Sequence, residues 1–449
     1  MIKIIDRKMR SMKIAKLLVA VAAILFVSSS VRAQDTLHLT LEDALKVALS
    51  ENISVKVADK EVKRTEYAKK GTYASLFPQV DFSGTYQRAI KKQTMYMGDQ
   101  SFQIGRDNTW SAGFSAALPL VNVQLWKAIQ ITGMDVELAV EKAKGSRQDL
   151  VAQVQQAFYG VLLAKDLYAV YKENYDNAAE SYKDVKGKFD TGLASKFELL
   201  SSEVAMQNAE PNMYDAQNNI ALANWKLKAL IGIDLDQNIV CNGSLSDYES
   251  IVRGVISYDT SVENNSTVKQ LDIQEKMLEK NYQMQLAKYY PSLSAQVGYN
   301  WIAMEDNFKF SNYKWNPYST GTIALTIPIF SGGQRYNELK KTRVQQEQLA
   351  LQKEDAIRQL EISVMQVLNS LETSLKQYNA AQKTIEAAES GYEIAKSRYD
   401  VGSGTLLELQ DAQLGLLQAR LNLNQAVYTY MTLKSNLDKI LGVNEFNEK

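Results

Sequence analysis

Lys188-Phe189-Asp190-Thr191-Gly192, followed by Phe197-Glu198-Leu199, is answered about 210 residues later by Arg398-Tyr399-Asp400-Val401-Gly402 and Leu407-Glu408-Leu409. Self-similarity at a fixed offset is the mark of a duplicated architecture. The same offset relates Leu230-Ile231-Gly232 to Ile440-Leu441-Gly442, and a similar one relates Phe77-Pro78-Gln79 to Tyr290-Pro291-Ser292 and Leu118-Pro119-Leu120 to Ile327-Pro328-Ile329. Each half therefore reads helix, two strands, very long helix, tight turn, long helix. Gly192 and Gly402 close the two turns, since glycine accepts the left-handed conformation that ends a helix.

Outward from these turns the pattern is heptad. Leu409, Ala412, Leu416, Ala419, Leu423, Ala426, Tyr430, Leu433, Leu437 and Ile440 alternate steps of three and four, and the first copy runs in the same phase from Leu199 to Leu230. A 3.5-residue apolar repeat held over several heptads indicates coiled-coil packing. Residues 121–189 as one helix would measure on the order of 100 Å at about 1.5 Å per residue, the length of a rod or a tube wall. The tyrosines along it read as packing residues. Pro211 sits inside the first copy's heptads, where a local kink is expected.

Between the helices the period changes to two. Val80, Phe82, Gly84 and Tyr86 alternate with polar residues, as do Trp110 to Leu118, Leu293 to Trp301 and Ile323 to Ile329. The four runs, at about 79–87, 109–119, 292–301 and 320–329, have the roughly ten-residue length of an outer-membrane strand. Pro78, Pro119, Pro291 and Pro328 are read as their boundaries, and residues 88–108 and 302–317 as the longer outward loops. A soluble sheet packed on helices would alternate equally well. Four strands cannot close a barrel alone, and an open edge in lipid leaves backbone groups unpaired. Two chains would supply eight strands, and three would supply twelve with room for a pore.

The chain has 51 basic and 51 acidic residues, one His and one Cys. Residues 1–33 hold seven of the basic residues and one acid, so the remainder carries 44 against 50, a net of about −6. Such a chain has no electrostatic footprint for nucleic acid. Within residues 1–33 a basic stretch precedes an apolar run of roughly 11 residues and then Val31-Arg32-Ala33, the pattern of a secretory signal peptide cleaved after Ala33. One cysteine, Cys241, allows neither an internal disulfide nor a cysteine zinc site. One histidine, His38, expected in a loose N-terminus, leaves little room for a triad or histidine metal centre. No catalytic, cofactor-binding or metal-binding residues are identified, and no enzyme activity is expected.

In this order and in duplicate, Leu41-Glu42-Asp43-Ala44-Leu45, Leu76-Phe77-Pro78-Gln79, Ile327-Pro328-Ile329-Phe330-Ser331-Gly332-Gly333 and the turn at residues 398–402 with Leu406-Leu407-Glu408-Leu409 resemble the TolC family of outer-membrane efflux proteins. The likeness runs over about residues 41–442. It implies a mainly α homotrimer in which long antiparallel coiled-coil helices form an α-barrel across the periplasm, continued by a 12-stranded β-barrel in outer-membrane lipid. It implies an export duct of a tripartite efflux or type I secretion system in a Gram-negative bacterium, with a periplasmic adaptor protein and an inner-membrane pump of the RND or ABC class as partners. The corresponding division is residues 1–33 signal peptide, 34–231 first repeat, 232–259 linker and equatorial segment, 260–442 second repeat and 443–449 periplasmic tail, with long helices at about 121–189, 195–231, 332–400 and 405–441.

The resemblance also places Gly192 and Gly402 at the periplasmic tip and makes Glu198, Tyr399, Glu408 and Asp411 the residues of the aperture. Three copies would turn each carboxylate into a ring that attracts cations. The family's arginine two residues after the second tip glycine is replaced by Gly404, so a different lock is expected. The same carboxylates could instead serve their helix starts, and Ser201, Ser202 and Asp411 could meet the adaptor. The competing architecture is a non-conducting structural coiled coil of the cell envelope.

Overall fold

The computed structural model describes residues 36–254 and 260–443. The signal-peptide reading and the end of the tail lie outside the described residues. In chain order the elements are β1 (Leu37–Leu39), α1 (Leu41–Glu51), α2 (Ile53–Ala74), β2 (Gln79–Arg88), β3 (Gln93–Met97), β4 (Gln100–Ile104), β5 (Asn108–Val121), α3 (Val123–Asp190), α4 (Lys196–Ile231), β6 (Ile239–Cys241), α5 (Ser266–Ala287), β7 (Ser292–Glu305), β8 (Asn316–Thr326), α6 (Gln334–Asp400) and α7 (Leu406–Leu441).

The 68 residues of α3 and 67 of α6 each extend about 100 Å. Helix α4 folds back along α3, and α7 along α6; α3 also packs on α7, so these four make one wall ordered α4-α3-α7-α6. Toward the strands, α2 and α5 take over the flanking places, α2 on α3 and α5 between α3 and α6. Assigned helix continues through Pro211 within α4.

The wall's two tiers meet through the same cap twice. Asn52 starts α2, its Oδ1 accepting from Ser54 N at 2.7 Å, while its Nδ2 donates to Leu230 O near the end of α4 at 2.7 Å. Asn265 starts α5 likewise, with Oδ1 accepting from Thr267 N and Nδ2 donating to Ile440 O, both at 2.8 Å. One side chain thus satisfies orphan donors at one helix start and an orphan acceptor at another helix end. The buried core gathers around this level, with Leu45, Phe158, Leu162, Leu227, Tyr378, Tyr430 and Leu437 among its members.

A small belt wraps the same level. Strands β1 and β6 pair in parallel, so His38 stands in a strand opposite Val240 rather than in a loose terminus. Three residues are too short a run for periodicity to reveal. Lys165 Nζ on α3 donates to Cys241 O at 2.8 Å, and Leu245 N donates to Asp166 Oδ2 at 2.8 Å. Tyr378, buried on α6, donates through its hydroxyl to Glu249 and accepts from Arg253. The belt is therefore pinned to both long helices. Burial pushes the Cys241 thiol up to about 11, which leaves it unreactive.

The larger sheet is antiparallel in the order β2-β5-β7-β8. Its register aligns Phe82 with Phe114 and Phe114 with Tyr299, and Ala295 with Ile323, on one face. Asp81, Ser115, Gly298 and Thr320 align on the other. Among the described residues no helix lays its length on either face. The apolar side chains are accordingly uncovered, Phe82 at 61% and Ile323 at 74% exposure. Among the described residues the sheet is therefore not packed on the chain's own helices.

Pro78 and Pro291 stand immediately before β2 and β7. Pro119 does not end its strand: β5 continues to Val121, with a register shift between Pro119 and Val121 where the missing N–H is tolerated. Pro328, which has no N–H to donate to a ladder, lies beyond its strand, since β8 stops at Thr326. The segment 88–108 is not a plain loop, since β3 and β4 form a hairpin within it.

Candidate functional site at the helical tips

The two tight turns are built alike. At the first, Gly192 has φ +77°, Leu193 N returns to Lys188 O at 2.8 Å, and Ser195 caps α4. At the second, Gly402 has φ +74°, Ser403 N returns to Arg398 O at 2.8 Å, and Thr405 caps α7. These backbone bonds satisfy the last carbonyls of α3 and α6 and reverse the chain within five residues.

Glu198 and Glu408 are the third helical residues after those caps. Glu198 Oε2 accepts from Ser195 N at 2.6 Å while Glu198 N donates to Ser195 Oγ at 3.1 Å. Glu408 makes the same exchange with Thr405 at 3.3 and 3.2 Å. Both are capping boxes, written in the sequence as Ser195-x-x-Glu198 and Thr405-x-x-Glu408. The Ser195 N–H holds the Glu198 carboxyl below its ordinary range. Glu408 Oε2 also lies 3.6 Å from the Arg398 guanidinium. Arg398 is the last-turn cation of the preceding helix. A Cβ at Gly404 would stand 3.0 Å from Arg398 Cβ and 3.2 Å from Glu408 Oε2, so the close turn favours glycine there.

Asp411 is exposed one turn beyond Glu408, with no ion pair among the described residues. Tyr399 is half-buried at the end of α6. Lys188 Nζ, from α3, sits 4.5 Å from its ring centroid and 2.7 Å from Asp184. Burial raises the Tyr399 hydroxyl above its ordinary value, and Lys188 partly offsets this. A second link between hairpins runs from Ser201 Oγ on α4 to Gln410 Oε1 on α7 at 3.2 Å. Deeper in the wall, Arg420 on α7 reaches Glu173 on α3 at 2.7 Å and Glu389 on α6 at 3.5 Å. Lys188 and Arg398 were read in the sequence only as members of the repeated turn motif, and Gln410 and Arg420 were not singled out. Lys188 and Arg398 each lie four residues before a tip glycine, which was the available signal.

The tips thus bring Glu198, Tyr399 and Glu408 to the turn region but use the two glutamates locally. Among the described residues no group of His, Cys, Asp and Glu could hold a metal ion, and no helix is long and apolar enough to cross a membrane. The sequence profile of the outer membrane efflux protein family matches residues 44–233 and 258–443.

The chain belongs to that family.

The family is described as one of outer membrane efflux proteins. The chain is 21% identical to the outer membrane protein TolC of Vibrio cholerae over 58% of each chain. It is 21% identical to the alkaline protease secretion protein AprF of Pseudomonas aeruginosa, over 67% of this chain and 63% of that protein. The chain thus matches under two thirds of the length of these two relatives. The solved structure of CusC superposes with a TM-score of 0.73 at 20% identity, covering 90% of this chain and 92% of that one, and establishes the shared fold. The TolC-family resemblance read from the turns and strand entries is therefore correct.

Proposed function

We propose that the chain is one protomer of a trimeric export duct in the outer membrane of a Gram-negative bacterium, extending into the periplasm. The observation that carries this reading is the four-stranded sheet, which among the described residues has an uncovered apolar face, a polar face and two unpaired edges, mounted on helices about 100 Å long. The strands β2 and β8 run in opposite directions. The β8 edge of one copy can therefore pair antiparallel with the β2 edge of the next, and three copies close a 12-stranded barrel with lipid outside and water inside. Closure removes the edges that lipid would not tolerate.

The two halves, residues 34–231 and 260–442 joined by 232–259, are read as structural repeats. The two-segment family match and the twin caps at Asn52 and Asn265 support this. The tip turns at Gly192 and Gly402 lie at the periplasmic end, where Tyr399, Glu198, Glu408 and Asp411 surround the aperture. A periplasmic adaptor docks there, and an inner-membrane RND or ABC pump drives cargo through a passive duct. The efflux description of the family and the secretion description of AprF support these partners.

The test is cell fractionation followed by native mass measurement of the detergent-extracted protein and planar-bilayer recording. An outer-membrane trimer that conducts is expected. A water-soluble monomer or dimer would replace the duct with a structural coiled coil of the envelope.

A further inference from the structure

The outer end of the sheet carries more than apolar side chains. Tyr86 and Trp110, on the lipid-directed face, have ring centroids 4.5 Å apart. The segment after β7 folds back across them: Phe308 lies 5.8 Å from Tyr86, and Phe310 5.6 Å from Trp110. Aromatic residues at this depth form the interfacial girdle of membrane barrels.

Cations stand beside this girdle. Arg88 follows Tyr86 by two residues and so projects from the same face of β2. Lys309 lies between Phe308 and Phe310 in extended backbone, φ −80° and ψ 100°, so its side chain is directed away from the strands those rings cover. Lys314 follows Tyr313, whose ring stacks on Phe310 at 5.5 Å. All three cations are exposed, and none has an ion pair among the described residues. Their neighbours differ: Lys92 and Arg106 are already spent on Asp107 and Asp306. The acid in the same row as Arg88, Glu305, is turned toward its own chain and accepts from Asp306 N. Residues 88–108 and 305–316 together hold six basic and four acidic side chains, in a chain whose remainder after residue 33 is net acidic.

We propose that Arg88, Lys309 and Lys314 form a docking surface for phosphate-bearing lipid headgroups of the outer leaflet, with the acyl chains lying on the aromatic and apolar face below. The surface is continuous with the lipid-directed face of the sheet, and its uncompensated cations complement phosphate, which arginine and lysine both bind. Three protomers would carry three such surfaces around the barrel. The inference rests on the outer-membrane reading given above.

The test uses trimers already shown to come from the outer membrane, in detergent, by native mass spectrometry with added diphosphoryl lipid A. The wild type is expected to retain up to three lipids per trimer, and R88Q/K309Q/K314Q to lose at least tenfold in apparent affinity. Lipid A stripped of its phosphates and phosphatidylcholine should both bind at least tenfold more weakly than diphosphoryl lipid A. K60Q/K63Q/K383Q, which removes equal charge from exposed helix positions, should bind like the wild type. Equal retention by R88Q/K309Q/K314Q, or equal retention of the phosphate-free lipid, would overturn the inference. Inorganic phosphate alone displacing lipid A at comparable concentration would do so as well, by showing an anion site without lipid recognition. A water-soluble protein in the prior fractionation would instead end the outer-membrane reading before any lipid is added.

Discussion

Asn265 Nδ2 donates to the carbonyl oxygen of Ile440 at 2.8 Å, fastening the start of one helix to the end of another. The same amide caps its own helix through Thr267 N. Asn265→Ala removes both bonds at a buried position. The lost cap costs about 1 kcal/mol, and the orphaned Ile440 carbonyl about 1–3 kcal/mol more. Asn265→Asp separates the two roles. Asp replaces Asn without penalty at an ordinary N-cap, but here it sets a carboxylate oxygen against a carbonyl. Both variants should lower the denaturation midpoint of the purified protein. A wild-type midpoint for Asn265→Asp would show that the bond to Ile440 contributes nothing.

Glycines at two places along the wall should respond unequally to a methyl group. At Gly442, φ is +69° and a Cβ would stand 2.4 Å from Asn264 O, a backbone atom that cannot turn aside. At Gly192, φ is +77° but a Cβ would meet no other described residue within 4 Å beyond its chain neighbours. Gly192→Ala should therefore cost only the left-handed backbone penalty, about 1–2 kcal/mol. Gly442→Ala adds overpacking of about 1–3 kcal/mol. Thermal unfolding of the two variants gives the comparison, and equal losses would contradict the tight junction at Asn264.

The long helices and the four membrane-length strands were legible because each repeats one period many times, so a few exceptional residues could not hide it. The turns were legible through Gly192 and Gly402. The capping roles of Glu198 and Glu408 went unread beside the aperture assignment, although Ser195 and Thr405 three residues earlier spell a capping box. The hairpin of β3 and β4 escaped because its five-residue strands mix apolar and polar side chains near glycine. The β1–β6 pair and the Lys188–Tyr399 contact join residues more than 190 positions apart. No local pattern in a single sequence reports such pairs.

The Glu198 cap carries a pH dependence of defined sign. Its carboxyl lies below the ordinary value because it accepts from the Ser195 N–H. The fold therefore prefers the ionised form, and this contribution is complete above the unfolded value of about 4.3. It is lost as pH falls through the lowered folded value. Amide hydrogen exchange at residues 195–199, corrected for intrinsic rates, should accelerate below about pH 4.3 in the wild type. Glu198→Gln should exchange faster at neutral pH and lose that acid-dependent step. A mutant profile parallel to the wild type would place the titration elsewhere.

Lys188 over the Tyr399 ring ties the α3–α4 hairpin to the α6–α7 hairpin at their tips. Such a contact is worth about 0.5–1 kcal/mol at an exposed site. In a trimer three act together, about 1.5–3 kcal/mol, or roughly a ten- to hundredfold shift in the balance of tip conformations. Lys188→Gln and Tyr399→Leu should each raise the open probability of single channels in planar bilayers by that order, without altering trimer mass. Asp184→Asn should have a smaller effect, since it removes only Lys188's second partner at 2.7 Å. Open probabilities indistinguishable from wild type in both Lys188→Gln and Tyr399→Leu would show that the tips are restrained by other contacts.

The two acids proposed for the second-copy aperture should not contribute equally. Glu408 is engaged by Thr405 N and stands 3.6 Å from Arg398, so much of its charge is answered within its own chain. Asp411 is exposed and has no such partner among the described residues. A ring of three Asp411 carboxylates would present the stronger field to a passing cation, and like charges brought close attract counter-ions most. Divalent-cation block of single-channel current should therefore weaken severalfold in Asp411→Asn and little in Glu408→Gln, and most in the double Ala variant. Arg398→Gln should strengthen the block by freeing the Glu408 carboxylate, while Arg398→Gln combined with Glu408→Gln should return it to the wild-type level. A larger loss of block from Glu408→Gln than from Asp411→Asn would mean that the glutamate leaves its cap to line the pore. Block unchanged in the double Ala variant would move the cation site away from the tips altogether.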